Sequence, residues 1–223
     1  MIPRLSITGA TIWMIIGNIT DLNYMKRLFD ILSSLIVLII GLPFGLLIAL
    51  CILVDSRGKV IYKQSRVGRN NVDFQLYKFR TMRTDADKGS QITIGSHDAR
   101  ITHIGAFLRK YKIDEFPQFL NILKGEMSIV GPRPEVRKYV DMYTPEQMRV
   151  LSVRPGLTDY ASIRYVNENE LLAKSDNPEQ TYIQEIMPDK LKLNLKYVDE
   201  QSLWVDLKIM WQTVVAVLGK NEE

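Results

Sequence analysis

The sequence predicts a compact, helix-rich α/β domain with an N-terminal re-entrant membrane helix hairpin. Three observations lead there. A run of 24 residues without a charge, Ile31–Val54, is followed by two short alternating segments, and beyond them apolar residues recur at helical spacing. At 223 residues the chain has room for one good core plus attachments. A hydrophobic content of 46% against 24% charged residues fits a folded protein rather than a disordered one.

As a helix the uncharged run is about 36 Å long, enough to cross a hydrocarbon layer of about 30 Å. It is too long, and starts too far along the chain, for a cleaved signal peptide. Two features count against a straight spanning helix. Basic residues flank both ends, Lys26 and Arg27 before it and Arg57, Lys59 and Lys63 after it, whereas a spanning helix carries such an excess on one side. Gly41-Leu42-Pro43-Phe44-Gly45 lies at its centre, where Pro43 removes a helix hydrogen bond and bends the chain. A hairpin entering and leaving through one face satisfies both observations; on sequence physics alone the spanning helix stays open. The expected organisation is residues 1–24 as an extension with no catalytic role, 25–56 as the membrane-inserted helix and 57–223 as the catalytic domain.

Lys59–Gln64 and Phe74–Phe79 read as short strands joined by a Gly68-Arg69-Asn70-Asn71 turn. The polar stretch Arg83–Arg100 reads as a loop with a small strand at Ile92–Ile94. Ile104, Phe107, Leu108 and Tyr111 define one amphipathic helix, and Ile113, Phe116, Phe119, Leu120 and Leu123 a second. In Tyr139–Arg149, Thr144-Pro145-Glu146 marks a helix start. Leu191–Tyr197 and Leu203–Leu218 are further helices, the latter with Trp204 and Trp211 on one face. Such a face belongs to a core or to a membrane interface.

Charge is distributed unevenly. Between Ser56 and Arg83 stand eight basic residues against Asp73 alone, whereas nine acids oppose four lysines between Tyr165 and Asp206. A basic block beside an apolar run points to anionic lipid or a phosphorylated substrate. Cys51 is the only cysteine, so an intrachain disulfide and a cysteine metal cluster are excluded. With two histidines a His-rich zinc site is not expected, and a metal here would be a hard, oxygen-bound ion. Neither a Walker glycine loop nor a dinucleotide fingerprint occurs, which argues against ATP or NAD chemistry.

The densest chemical constellation is Arg109-Lys110-Tyr111-Lys112-Ile113-Asp114-Glu115-Phe116-Pro117-Gln118. Adjacent carboxylates can divide labour, one attacking phosphorus and the other holding a divalent ion. In isolation Asp114 fits an ordinary N-cap equally, with Glu115 and Pro117 in a first helical turn. In Gly131-Pro132-Arg133-Pro134 an arginine locked between prolines loses little entropy on gripping a phosphate, although the same residues also make a rigid turn. Arg154-Pro155-Gly156 has the same chemistry, and Lys78 and Arg80 place two cations on one strand. Four cation-bearing sites and an acidic pair suit a pyrophosphate-containing donor.

Taken in order, these segments resemble the bacterial sugar transferase family, the monotopic polyprenyl-phosphate phosphoglycosyl transferases. The resemblance runs from about Met25 to Leu218. It takes in Lys26-Arg27-Leu28-Phe29-Asp30, Gln64-Ser65-Arg66-Val67-Gly68, Lys78-Phe79-Arg80-Thr81-Met82 and Asp98-Ala99-Arg100-Ile101-Thr102. It continues through Asp114-Glu115-Phe116-Pro117-Gln118, Asn121–Ser128, Gly131-Pro132-Arg133-Pro134, Arg154-Pro155-Gly156 and Leu203–Lys208. The resemblance implies a re-entrant helix in one leaflet of the bacterial inner membrane, an active site on the cytoplasmic face and Mg²⁺. It also implies transfer of a sugar-1-phosphate from a UDP-sugar to undecaprenyl phosphate, with release of UMP. Asp114 then matches the nucleophile and Glu115 its metal-binding partner. Arg109 and Arg133 match cations on the donor, with Lys78, Arg80 and Arg154 as further substrate-binding candidates. Two departures stand out: the helix break is Leu42-Pro43 where many members have Ser-Pro, and Leu157-Thr158-Asp159-Tyr160 replaces Ile-Thr-Gly after Gly156.

A rival from another class is a non-catalytic, membrane-bound nucleotide-sugar sensor or assembly scaffold, against which the Asp114–Glu115 pair argues. A second rival is a phosphatase that passes the aspartyl intermediate to water, against which the apolar anchor argues. No nucleic-acid partner is expected, contact with membrane lipids is, and homo-oligomerisation stays open. The residues single out no particular sugar.

Overall fold

The computed structural model describes residues 9–83 and 98–219, and for 9–22 and 218 the backbone alone. The chain begins with one long helix, α1 (Gly9–Asp55), on which the rest of the domain is seated. The helix runs unbroken across the expected boundary at residue 24 and has Pro43 inside it. Its outward face is bare: Leu32, Ile36, Ile39, Ile40, Leu47, Leu50 and Val54 are exposed, and only 6% of the most apolar window is buried.

The inward face touches the domain from Lys26 to Asp55. Lys26 donates to the Val130 carbonyl (2.9 Å), Tyr197 Oη (3.1 Å) and Asp206 Oδ2 (2.5 Å). Arg27 donates to the carbonyls of Ile122 (2.6 Å) and Leu123 (2.9 Å), and Asp30 accepts from the Ile129 amide (3.0 Å). Further along, Gly41 and Gly45 meet Phe116, Ile48 and Ile52 pack with Phe79 and Leu108, and Asp55 accepts from the Ile104 amide (3.0 Å). These positions recur at three- and four-residue steps, so one stripe of the helix carries them all.

Next comes a hairpin of β1 (Ile61–Val67) and β2 (Asp73–Phe79), paired antiparallel from Ile61 opposite Phe79 to Val67 opposite Asp73. The expected turn is present; Asn70 and Asn71 adopt positive φ, which asparagine tolerates better than most residues. β1 starts two residues later than expected and ends three later. α2 (His103–Lys110) follows, its start fixed by Thr102 Oγ1 accepting from the Gly105 amide.

The expected second helix over 113–123 is divided. Ile113–Glu115 forms a tight 3-10 turn, and α3 (Gln118–Lys124) starts after Pro117. Arg27 meets the last carbonyls of α3, where a helix C-terminus attracts positive charge. Asn121, fully buried, ties α3 to β2: its amide accepts from the Tyr77 N–H (3.0 Å) and donates to the Gln75 carbonyl (2.7 Å).

β3 (Ser128–Val130) pairs in parallel with β4 (Gly156–Thr158). Between them lie α4 (Arg137–Val140) and a 3-10 stretch at Gln147–Ser152. The helix expected to start at Thr144 thus forms as 3-10 rather than α. Its start signal is present: the Thr144 and Gln147 side chains cap each other's amides reciprocally. α5 (Tyr160–Arg164), α6 (Glu168–Ala173), α7 (Pro178–Thr181), α8 (Met187–Glu200) and α9 (Leu203–Gly219) complete the fold. The main core joins β2, α3, β3, α8 and α9 through Leu76, Ile122, Met127, Val130, Tyr197 and Ile209. The strand expected at Ile92–Ile94 lies outside the described residues.

Candidate active site

The site begins with a backbone kink. Lys112 sits in the left-handed region at φ 58°, uncommon for a side-chain-bearing residue, and turns the chain out of α2 into the 3-10 turn. The turn points Asp114 and Glu115 inward, leaving them 7% and 8% exposed. Phe116 points the other way, onto Gly41 and Gly45 of α1, so the acidic pair and the membrane helix are neighbours through one residue.

The two carboxylates have different surroundings. Arg133 grips Glu115 with both terminal nitrogens, Nη1 to Oε2 at 3.2 Å and Nη2 to Oε1, and Lys78 Nζ adds a contact to Oε1 at 3.2 Å. Burial alone would raise the Glu115 pKa. Arg133, then Lys78 and Lys112, outweigh it and hold this carboxyl well below the usual range. Asp114 has a looser partner, Lys78 at 4.0 Å. Burial pushes Asp114 above its ordinary value and Glu115 adds to the rise, while Lys78, Lys112 and Arg109 oppose it. One buried pair thus divides into a strongly anionic clamp and a less satisfied carboxylate, the kind of split that accompanies divided roles.

Arg133 is positioned by two crossing loops. Gly131 donates to the Thr158 carbonyl (3.0 Å) and Gly156 to the Pro132 carbonyl (2.9 Å). A Cβ on Gly156 would lie 2.1 Å from the Gly131 nitrogen, so only glycine permits this crossing. Asp159, wholly buried, accepts from the Arg133 amide with one carboxylate oxygen and from the Ser162 amide with the other. Arg133 Nη1 also reaches the Leu157 carbonyl at 3.3 Å.

Lys78, Arg80, Arg109, Asp114, Glu115 and Arg133 all line one cleft of about 1600 Å³, which among the described residues holds thirteen basic side chains and four acidic ones. That excess suits an anionic ligand. Arg109 stands on the α2 side of the cleft; burial lowers its pKa, with Asp114 and Asp98 as the nearest opposing charges. Arg80 is buried and caps the end of α1 through the Ile52 and Ser56 carbonyls and Ser56 Oγ. Its Nε and Nη1 have no partner among the described residues. Arg154 is not brought to the cleft: its Nε donates to the Gly125 carbonyl (2.9 Å), and its motif serves the loop crossing. Pro43 lies within α1, between the two glycines that receive Phe116. Sequence reasoning passed over Asp159 and Lys112. Asp159 carried a signal, an acid at the start of a short helix; the left-handed backbone of Lys112 carried none, although its charge also bears on Glu115 and Asp114.

The site is thus an acidic pair in a cationic cleft, next to a helix with a bare apolar face. The chain belongs to the bacterial sugar transferase family, whose sequence model matches residues 22–220, and is a transferase. Among its relatives is the exopolysaccharide production protein PSS of Rhizobium leguminosarum bv. phaseoli, 38% identical over 89% of this chain and 97% of that protein. A UDP-glucose:undecaprenyl-phosphate glucose-1-phosphate transferase of Caulobacter vibrioides is 35% identical, over 86% of this chain and 69% of its own length. The UDP-N-acetylgalactosamine-undecaprenyl-phosphate N-acetylgalactosaminephosphotransferase of Aeromonas hydrophila is also 35% identical, over 87% of this chain. The chain spans 44% of that last protein's length.

Proposed function

We propose that the chain transfers a sugar-1-phosphate from a UDP-sugar to undecaprenyl phosphate, releasing UMP, in the first membrane step of polysaccharide or glycoconjugate assembly. The observation that carries this reading is the division of labour in the buried pair: Glu115 is fully engaged by Arg133 and Lys78, whereas Asp114 faces the same cleft with one distant cation. An Asp114 oxygen attacks the sugar-bearing phosphorus; that O–P bond forms as the bond to the bridging oxygen breaks, and UMP leaves with the electron pair. An oxygen of the lipid phosphate then attacks the same phosphorus and the bond to Asp114 breaks, restoring the carboxylate and giving a polyprenyl diphosphate sugar. Lys78, Arg109 and Arg133 neutralise the equatorial oxygens in both steps.

The proposed reaction takes Mg²⁺ as its ion. Among the described residues no three metal-ligating side chains group together, and Mg²⁺ is ordinarily held by one or two carboxylates plus substrate phosphate oxygens. Glu115 would hold it, in exchange for one of its contacts to Lys78 or Arg133, and when bound it would supply charge neutralisation at phosphorus.

The same reading places both ends of the apolar helix on one membrane face, the cytoplasmic face of the inner membrane. The reading is supported by Lys26 at one end and Asp55 at the other, which both bind the same domain. Two measurements test the proposal. With the right UDP-sugar and no lipid, enzyme should give one burst of UMP, at most one per active site, and an adduct on the Asp114 peptide; Asp114→Asn should give neither. Near-normal turnover by Asp114→Asn, or kinetics that need both substrates bound together, would overturn the covalent mechanism. With Cys51 replaced by Ser, cysteines at Tyr24 and Ser56 should both resist an impermeant reagent added outside; labelling of Tyr24→Cys alone would establish a spanning helix.

A further inference from the structure

The cleft has an end that phosphate chemistry does not explain. Part of its wall is apolar, formed by Phe119 of α3, Ile163 of α5 and Met210, Val214 and Val217 of α9. This wall is close to the acidic pair. Arg133, on Glu115, reaches the Leu157 carbonyl, and the next residue, Thr158, is hydrogen-bonded to Thr213 of α9 at 2.6 Å.

α9 also carries a second apolar stripe. Trp204, Leu207, Trp211 and Val215 follow each other at helical spacing with their side chains bare, the tryptophans 77% and 70% exposed. Met210, Thr213, Val214 and Val217 form the adjoining stripe, about a quarter turn round the helix. The two stripes meet at Val214, which is half exposed and also lines the cleft. The cleft therefore opens along α9 onto a surface of the kind that tryptophan marks at membrane interfaces.

We infer that this apolar end is the channel by which the lipid acceptor's first isoprene units pass from the bilayer to Asp114, with α9 as its wall. The inference rests on the proposed reaction, whose acceptor couples a phosphate to a long hydrocarbon chain. The phosphate belongs among the cations, and the chain must leave that zone without crossing the charged wall. Among the described residues that line the cleft, the α9 stripe offers an apolar route to the lipid surface. Its floor residues Ile163 and Met210 pack on the main core, so the channel has a firm side and an open one.

The test uses the full chain in detergent micelles. Val214→Asp places a charge in the channel, and Val215→Asp places the same charge one residue on, outside the cleft. Val214→Asp should raise the KM for undecaprenyl phosphate at least tenfold while the lipid-independent UMP burst stays intact; Val215→Asp should stay within about twofold of wild type. An unchanged KM in Val214→Asp, loss of its burst, or an equal effect of Val215→Asp would overturn the channel. A benzophenone-tagged prenyl phosphate supplies a readout that needs no donor and no mutation. Its label should fall on the Leu203–Gly219 peptide and be displaced by undecaprenyl phosphate; label confined to other peptides would refute the assignment. If wild type releases no UMP from any UDP-sugar, the proposed reaction fails, and the photolabel still decides the channel.

Discussion

Gly41→Ala tests whether the membrane helix and the acidic pair act as one unit. A Cβ at Gly41 would lie 2.3 Å from Phe116 Cε2 and 2.5 Å from Cζ, so the ring must move by roughly 1 Å to reach ordinary contact. Phe116 has little room to move, since it stacks on Phe79 and tilts against Phe119, both at 6.2 Å between centroids. Such overpacking costs about 1–3 kcal/mol, against which alanine's better helix propensity returns up to about 1 kcal/mol. Because Phe116 follows Glu115 directly, a displacement of this size can cost about a hundredfold in rate. Gly45→Ala is the matched control: its Cβ would meet Phe116 at 3.4 Å, an ordinary contact. UMP release and thermal unfolding of the two variants in the same detergent give the comparison. Gly41→Ala should be slower and less stable, Gly45→Ala close to wild type, and Gly41→Ala should cost less stability in a Phe116→Ala background than in the wild-type one. Equal behaviour of the two glycine variants would refute the reasoning, whatever the absolute rates.

Other expectations follow from the site and its anchors. Arg133→Lys loses the two-nitrogen grip on Glu115 and should lower kcat/KM about tenfold to a hundredfold, measured with saturating acceptor. The acid limb of the pH–rate profile should lie above the ordinary aspartate value of 3.8, and Lys78→Met should move it higher, since Lys78 favours the charged form of Asp114; a downward move would contradict this. A carboxyl whose folded pKa is raised binds protons more tightly when folded, so its ionisation lowers stability as pH rises. Asp114→Asn should therefore melt no lower than wild type at neutral pH while losing turnover. Lys26→Met strands Asp206, whose pKa burial already raises, and should cost about 3 kcal/mol in a denaturant titration. A chain starting at Met25 keeps Lys26, Arg27 and Asp30 on their partners and should retain membrane binding and UMP release.

Where local chemistry dictates the structure, the sequence showed it. The Asn70-Asn71 turn and the start at Thr144 both depend on neighbours a few residues away; the Thr102 cap on α2 is equally local but was not read from the sequence. What the sequence did not show depends on distant partners. β3 and β4 are three residues each and pair across an insertion of more than twenty, and no periodicity over so short a span could announce them. The division of the helix expected over 113–123 follows from the backbone of Lys112, which no side-chain pattern encodes. Arg154 shows the same limit at the site. Its motif had the chemistry of a phosphate clamp, yet the glycine at its end is needed for the close crossing with Gly131, and that crossing turns the arginine away.

That crossing also explains how two proline-flanked arginines of equal promise came to have different work. Both loops are held rigid, and the backbone bonds between Gly131, Pro132, Gly156 and Thr158 fix them as one unit. One loop delivers Arg133 to Glu115, while the other places Arg154 on the Gly125 carbonyl at the end of α3, next to the carbonyls that Arg27 satisfies. Arg27 belongs to the membrane helix, so the end of α3 is where the anchor, the crossing loops and the helix after the acidic pair are joined. The opposite end of α3 follows Phe116, whose ring lies on Gly41 and Gly45. A single short helix is thus tied to α1 in its last turn and just before its N-terminus, and the carboxylates lie just ahead of the second attachment. The acidic pair is therefore held by two attachments of α3 to α1 as well as by the tie that Asn121 makes from α3 to β2.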